Sequence, residues 1–240
     1  MTQKLSIIVP VYNEHETILK TVFILDNLTL INDFSKEIII VDDGSTDGTR
    51  DLLEEIKKTN HSVLFHDKNY GKGTAIRTGL KEASGDYVVV QDADLEYDSH
   101  DFNIMLDKML KENLSVVYGS RELKKQKNRY SSLTFYWGGI FLTKVTNLLF
   151  NQNLTDEATC YKMFKTNLIK NLPLQCKKFE FCPEVTALVA LSGLKIVEVG
   201  ISYHPRSKAE GKKIQWRDGW QALLVLLKYR FTLKSNNYDR

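Results

Sequence analysis

The feature that most constrains this chain is a repeated alternation. A short run rich in Val and Ile gives way to a stretch with apolar residues at helical spacing, and then another run begins. Residues 5–11, 37–41, 62–65, 87–91 and 114–118 form the runs, each bounded by turn-forming residues, and they predict buried strands. Between them Ile18, Val22 and Leu25 fall at helical spacing, as do Leu52, Leu53 and Ile56. Ile76, Leu80 and Ala83 mark a third helix, and Phe102, Met105, Leu106 and Met109 a fourth. Strands alternating with helices imply right-handed crossovers and an α/β fold whose mostly parallel sheet is covered on both faces. Ligands of such sheets sit beyond the carboxyl ends of the strands, near a topological switch.

The loops at those ends are heavily loaded with polar groups. Pro10-Val11-Tyr12-Asn13-Glu14 closes the first strand and Asp42-Asp43-Gly44-Ser45-Thr46 the second. Asn69-Tyr70-Gly71-Lys72-Gly73 follows the third, Asp92-Ala93-Asp94-Leu95-Glu96 the fourth and Gly119-Ser120-Arg121 the fifth. All five clusters are expected to converge on one crevice. Asp92 and Asp94 point the same way if strand alternation persists, and two desolvated carboxylates repel unless a cation lies between them. Mg2+ or Mn2+ suits such a pair, because both take oxygen ligands, few protein carboxylates and substrate phosphates. Glu96 is a third candidate ligand. Ser45 or Thr46 suits a helix cap, which leaves Asp43 to accept a hydrogen bond from a nucleobase. Gly71 and Gly73 around Lys72 suggest backbone approaching a ligand.

The second half is less regular. Residues 131–151 and 216–231 predict long apolar helices, 182–193 a helix, and 160–164 and 195–203 strands. No Pro/Gly-rich linker separates the halves, so residues 1–240 are expected to form one domain. Charge divides it: residues 1–120 carry 12 Lys/Arg and 21 Asp/Glu, residues 121–240 the other 21 and 9. An acidic half suits a metal, and a basic half suits phosphates or an anionic membrane. Nucleic-acid binding has only that basic half in its favour, without a reading module. Three cysteines, Cys160, Cys176 and Cys182, are too few for a disulfide framework and fit a reducing cytosol. No apolar leader follows Met1, and the five histidines show no ligand spacing.

The ordered set Ile7-Ile8-Val9-Pro10-Val11-Tyr12-Asn13-Glu14, Val41-Asp42-Asp43-Gly44-Ser45-Thr46-Asp47-Gly48-Thr49, Gln91-Asp92-Ala93-Asp94 and Gly119-Ser120-Arg121 resembles family 2 glycosyltransferases. The resemblance implies the GT-A fold, a Rossmann-like sheet flanked by helices. Phe179-Glu180-Phe181, Pro183-Glu184 and Tyr203-His204-Pro205-Arg206, then Glu210-Gly211-Lys212-Lys213-Ile214, resemble the subgroup that makes dolichyl- or polyprenyl-phosphate sugars. The resemblance implies that Pro10, Tyr12, Glu14 and Asp43 hold the nucleoside, with Lys72 and Ala93 beside the nucleotide sugar. Asp92, Asp94 and Glu96 would hold the metal, and Arg121 would face the acceptor phosphate. Arg206 with Lys212 or Lys213 would clamp phosphates, and Asp156 would orient acceptor or donor.

The implied reaction is an inverting, metal-dependent hexose transfer from a UDP- or GDP-sugar to a polyprenyl phosphate. A phosphate dianion needs no general base, whereas a hydroxyl acceptor needs an Asp or Glu in reach. The adjacent Glu-Asp or Asp-Asp common in hydroxyl-specific relatives is absent around residues 179–184, where Glu180 and Glu184 stand isolated. The alternatives are a transferase acting on a saccharide hydroxyl, with Asp156 or Glu157 as base, and a nucleotide-sugar-binding protein without turnover. Residues 131–150 and 216–231 are amphipathic, with Trp137, Phe141, Trp220 and Phe231 as aromatic anchors. With basic residues 121–129, they predict a cytoplasmic enzyme lying peripherally on the membrane face, without a spanning segment.

Overall fold

A computed structural model describes residues 2–59, 61–124, 133–206 and 216–232 of the chain. The amino-terminal half runs β1 (Lys4–Val11), α1 (Ile18–Asn27), β2 (Ser35–Asp42), α2 (Thr49–Lys57), β3 (Ser62–Phe65), α3 (Lys72–Glu82), β4 (Tyr87–Val90) and α4 (Asp101–Lys111). It continues through β5 (Val116–Ser120), α5 (Leu133–Phe150), β6 (Lys162–Lys165), α6 (Thr166–Asn171), α7 (Phe181–Leu191), β7 (Val197–Gly200) and α8 (Trp216–Thr232). All four amino-terminal helices and the first four strands stand where the apolar patterning places them. The fifth strand begins at Val116, because Leu114 N–H instead closes the end of α4 on Met109 C=O. The short helix α6, lacking a full period of apolar residues, has no expectation to match.

The seven strands lie in the order β3-β2-β1-β4-β6-β5-β7. All neighbours are parallel except β6, which runs antiparallel to both β4 and β5. The pleat sorts β1 between two cores: Leu5, Ile7, Val9 and Val11 face α1 and α4, while Ile8 faces α3. β2 divides likewise, with Ile38 and Ile40 on one face and Ile39 and Val41 on the other. Burial on both faces explains why these strands read as unbroken Val/Ile runs rather than alternating ones. Burying each such side chain contributes on the order of 1.5–3 kcal/mol. A third apolar cluster joins α5, α7 and α8 through Leu142, Phe150, Leu188, Ala222 and Leu226. Among the described residues, no helix is long and apolar enough to cross a membrane.

The connection after β1 leads to β2 on one side, whereas the chain returns from β3 to β4 on the other. β1 and β4 therefore flank the topological switch, and their carboxyl ends deliver residues 12–14 and 91–96 into one crevice.

Candidate active site

The floor of the crevice is stapled by hydrogen bonds between the first two loops. Asn13 N–H donates to Ser45 Oγ (2.9 Å), Thr46 N–H to Asn13 Oδ1 (2.8 Å), and Glu14 N–H to Thr49 Oγ1 (3.0 Å). Asn13 takes the left-handed conformation, at φ 50°, which turns the chain out of β1. Ser45 thus serves the neighbouring loop rather than capping α2. Asp47 instead accepts Thr49 N–H and Oγ1–H at the start of that helix. Pro10, Tyr12 and Glu14 are half-buried along this edge.

Asp43 is buried and organises the loop after β3. Its carboxylate accepts Tyr70 N–H (3.0 Å) and Gly71 N–H (2.6 Å) and meets His66 Nδ1 at 2.7 Å. The other ring nitrogen of His66 meets Thr78 Oγ1 at 3.0 Å. His66 carries no motif, but parallel pairing of Phe65 with Asp42 puts it beside Asp43. The two glycines around Lys72 serve a different purpose from the one expected. A Cβ on Gly71 would stand 2.5 Å from Lys177 C=O, and one on Gly73 2.7 Å from Cys176 C=O. The approaching backbone is the protein's own.

The Asp92–Glu96 turn holds three carboxylates close together. Thr21 Oγ1 donates to Ala93 C=O (3.1 Å), which fixes the turn to α1. Leu95 sits at φ 60°, an uncommon conformation for a bulky side chain and the kind of strain that clusters at functional sites. Lys72 Nζ lies 2.5 Å from Asp92 Oδ1 and 3.2 Å from Cys160 Sγ. Burial works against the charge on Asp92, but Lys72 overrides it and holds the carboxyl below its ordinary range. Asp94 goes the other way: burial, with the carboxylates of Asp92 and Glu96 beside it, pushes it up to about 7. Glu96 is committed to residues 203–206, accepting Tyr203 O–H (2.6 Å) and Arg206 N–H (2.7 Å).

Two arginines enter from the second half. Arg121 grips Asp156 with a planar fork, Nε to Oδ2 and one terminal nitrogen to Oδ1, both at 2.7 Å. Its backbone N–H adds a third bond to Asp156 (3.0 Å). Burial opposes both charges, and the mutual attraction prevails: Asp156 stays below the carboxylate range. Glu198 accepts Thr155 N–H and Asp156 N–H and so fixes the pair from behind. The guanidinium of Arg206 reaches Glu14 at 3.2 and 3.3 Å and Asp94 at 3.5 Å. Its Nε–H is buried with no acceptor among the described residues. Lys212 and Lys213 lie outside the described residues.

The donor chemistry suits a hard divalent cation. Asp92 and Asp94 are two half-buried carboxylates on one turn, and burial with the neighbouring carboxylates of Asp92 and Glu96 pushes the second up to about 7. The described residues contain no group of three ligating side chains. A pair is what Mg2+ or Mn2+ asks of the protein when phosphate oxygens complete the shell.

A mostly parallel sheet with an Asp-x-Asp turn at its switch point matches the GT-A fold. Residues 6–172 match the profile of Glycosyl transferase family 2, and the chain belongs to that family. It is 31% identical over 229 residues to a UDP-N-acetylglucosamine–dolichyl-phosphate N-acetylglucosaminyltransferase of Methanococcus voltae, across 87% of this chain and 89% of that one. It is 28% identical over 218 residues to a dolichol-phosphate mannosyltransferase of Pyrococcus furiosus, across 87% of this chain and 59% of the relative. The fold also matches glucosyl-3-phosphoglycerate synthase of Mycobacterium tuberculosis, crystallised with Mn2+, UDP and phosphoglyceric acid. That match has a TM-score of 0.66 at 20% identity and covers 95% of this chain and 79% of that one.

Proposed function

We propose that this glycosyltransferase moves a hexose from a UDP- or GDP-sugar to a polyprenyl phosphate, with inversion and with Mg2+ or Mn2+. The observation that carries the choice of acceptor is the fork between Arg121 and Asp156. A carboxylate held ionised by a bidentate guanidinium is a poor base for a hydroxyl proton. With Asp156 removed from that role and Glu157 fully buried, the favoured acceptor is the phosphate, which attacks as a dianion and needs no base. The relatives named for dolichyl-phosphate transfer support the same acceptor class.

In this reading Tyr12, Glu14 and the loop ordered by Asp43 hold the nucleoside, and Asp92 and Asp94 hold the cation. The cation, when bound, neutralises charge on the departing diphosphate. Lys72 keeps Asp92 ionised and adds positive potential beside the leaving group. Arg206 offers its buried, unpartnered Nε–H to a phosphate, and its planar fork suits phosphate oxygens. The acceptor oxygen bonds to the anomeric carbon from the face opposite the departing diphosphate. Residues 1–120 serve the donor and residues 121–240 the acceptor, within one domain.

The paired helices α5 and α8 support a membrane location for the acceptor. Trp137, Phe141 and Leu148 on one, and Trp220, Leu224 and Phe231 on the other, are more than half exposed at four- and seven-residue spacing. An apolar surface of this kind, anchored by tryptophans, fits the membrane interface. The deciding experiment incubates the protein with labelled UDP- and GDP-sugars, polyprenyl phosphate and Mn2+. Label extracted with the lipid, and lost with chelator, is expected. Transfer confined to saccharide hydroxyls overturns the reading.

A further inference from the structure

Tyr161, Tyr97 and Tyr203 form a column that rises from the core to the crevice. Tyr161 is fully buried beside Phe102, with ring centroids 5.0 Å apart, and it stacks on Tyr97 at 4.6 Å. Tyr97 meets Tyr203 at 5.0 Å, and the same two residues form an isolated antiparallel bridge. The Tyr203 ring in turn lies against the guanidinium of Arg121, whose central carbon stands 4.9 Å from the ring centroid. Each hydroxyl is anchored. Tyr161 donates to Gln91 Oε1 (2.6 Å), Tyr97 accepts Cys160 N–H (3.2 Å), and Tyr203 donates to Glu96 Oε2 (2.6 Å). Tyr203 is thus buried and fixed by its ring, its backbone and its hydroxyl.

We propose that Tyr203 is a positioning residue whose ring seats the Arg121 guanidinium in the orientation that takes an acceptor phosphate. Asp156 holds one edge of that guanidinium, Nε and one terminal nitrogen, and leaves the other terminal nitrogen without an acceptor among the described residues. A fork on one edge fixes that edge but lets the plane tilt about it. An aromatic face against the plane blocks the tilt on one side, and the ring quadrupole attracts the cation. The outer edge, formed by both terminal nitrogens, is thereby aimed, as bidentate recognition of phosphate oxygens requires.

The column also registers Arg121 against the donor side. Tyr161 reaches Gln91, whose side-chain amide donates to Asp92 C=O (2.9 Å), and Tyr203 reaches Glu96, so both flanks of the Asp-x-Asp turn are tied to the same stack. A packing role would be filled by any apolar side chain of similar size, whereas seating a cation needs a π face. The role in acceptor binding rests on the acceptor reading above; the seating of Arg121 on the ring does not.

The test compares the full chain with Tyr203→Phe, which keeps the ring and drops the hydroxyl, and with Tyr203→Leu and Tyr203→Met, which drop the ring. Farnesyl phosphate, a short soluble polyprenyl phosphate, is the binding probe, followed by calorimetry. The Arg121 Nε–H resonance reports the ring current of the seat. The parent chain and Tyr203→Phe are expected to show a ring-shifted resonance and equal affinity for farnesyl phosphate. In Tyr203→Leu and Tyr203→Met the shift should vanish and affinity should fall about five- to thirtyfold, the scale of a lost cation–π contact in a partly dry site. In transfer assays the same loss should appear in the acceptor KM, with kcat and Mn2+–nucleotide binding retained, a split that a smaller folded fraction does not produce. Unchanged farnesyl phosphate affinity in a folded ringless variant overturns the proposal. A comparable loss in Tyr203→Phe assigns the effect to the hydroxyl and overturns it as well, whether or not the ringless variants fold. A parent chain that neither binds farnesyl phosphate nor transfers sugar to a polyprenyl phosphate refutes the acceptor reading and the role with it, while the ring-shifted resonance still supports the seat.

Discussion

Lys72 Nζ stands 2.5 Å from Asp92 Oδ1, so the first carboxylate of the Asp-x-Asp turn is neutralised by the protein itself, while Asp94 is pushed up to about 7 by burial and its acidic neighbours. The two aspartates are therefore unequal. Asp92→Ala and Asp94→Ala should each lower kcat/KM by on the order of 10²–10³, the cost of losing a charge-stabilising group in a dry site. Thermal melts should show the fold retained. Full turnover in either variant, or in excess chelator, refutes the cation assignment.

Arg206 approaches Glu14 with two nitrogens, and its geometry is that of a fork rather than a point charge. Arg206→Lys is expected to be nearly as damaging as Arg206→Ala, because an ammonium does not reproduce a bidentate guanidinium. Steady-state kinetics with lipid phosphate as the varied substrate measure this. A lysine variant that keeps most of the activity argues against phosphate recognition by the fork.

The Arg121–Asp156 pair makes a prediction about stability. Removing one partner of a buried ion pair typically costs about 3–5 kcal/mol, because the other charge is left uncompensated. Asp156→Asn should lower denaturant stability toward that range. Because the folded state holds the Asp156 carboxyl below its unfolded value, its contribution is present above the unfolded value. It is lost as pH falls through the folded one. Acid titrations of stability should be shallower in the variant than in the parent chain.

Glu157 carries the opposite sign. Its side chain is buried, both carboxyl oxygens lack a hydrogen-bond partner among the described residues, and burial pushes it up to about 7. The folded chain therefore keeps a proton that the unfolded chain has released. Stability should fall as pH rises from the ordinary Glu value toward 7, by about 3 kcal/mol in total. Glu157→Gln should flatten that slope in unfolding curves recorded at pH 5 and 8. An unchanged slope contradicts the buried protonated carboxyl.

Trp137 and Trp220 are 63% and 60% exposed on adjacent helices. Burying a large apolar side chain in an interface contributes on the order of 2 kcal/mol, so replacing either with Ser should cut liposome binding more than tenfold. Flotation with anionic vesicles measures it, and high salt should weaken what remains. Recovery of the parent chain wholly in the lipid-free fraction at low salt contradicts the interface.

The sheet was legible in the sequence because both faces of β1, β2 and β4 are buried, and continuous Val/Ile runs are what such burial requires. That the loops after β1, β2, β4 and β5 leave one edge of the sheet was legible too, because the carboxyl ends of parallel strands share that edge. The pairings were not. Nothing in residue order says that Arg121 will face Asp156, or that Glu96 will hold Tyr203 and Arg206, since these contacts span long stretches of chain. The glycines around Lys72 misled for a physical reason: close approach of a ligand and close approach of residues 176–178 demand the same missing Cβ.

Glu96 has a consequence in time as well as space. Its carboxylate ties residues 203–206 to the turn that carries Asp92 and Asp94, and Arg206 in turn rests on Asp94 and Glu14. On the proposed reading, a cation held by Asp94 would take away one of the two carboxylates on which that guanidinium rests and so ready it for a newcomer of opposite charge. The wiring would then act as a turnstile, with donor and cation entering before the acceptor, and product-inhibition kinetics are expected to show an ordered rather than a random sequence.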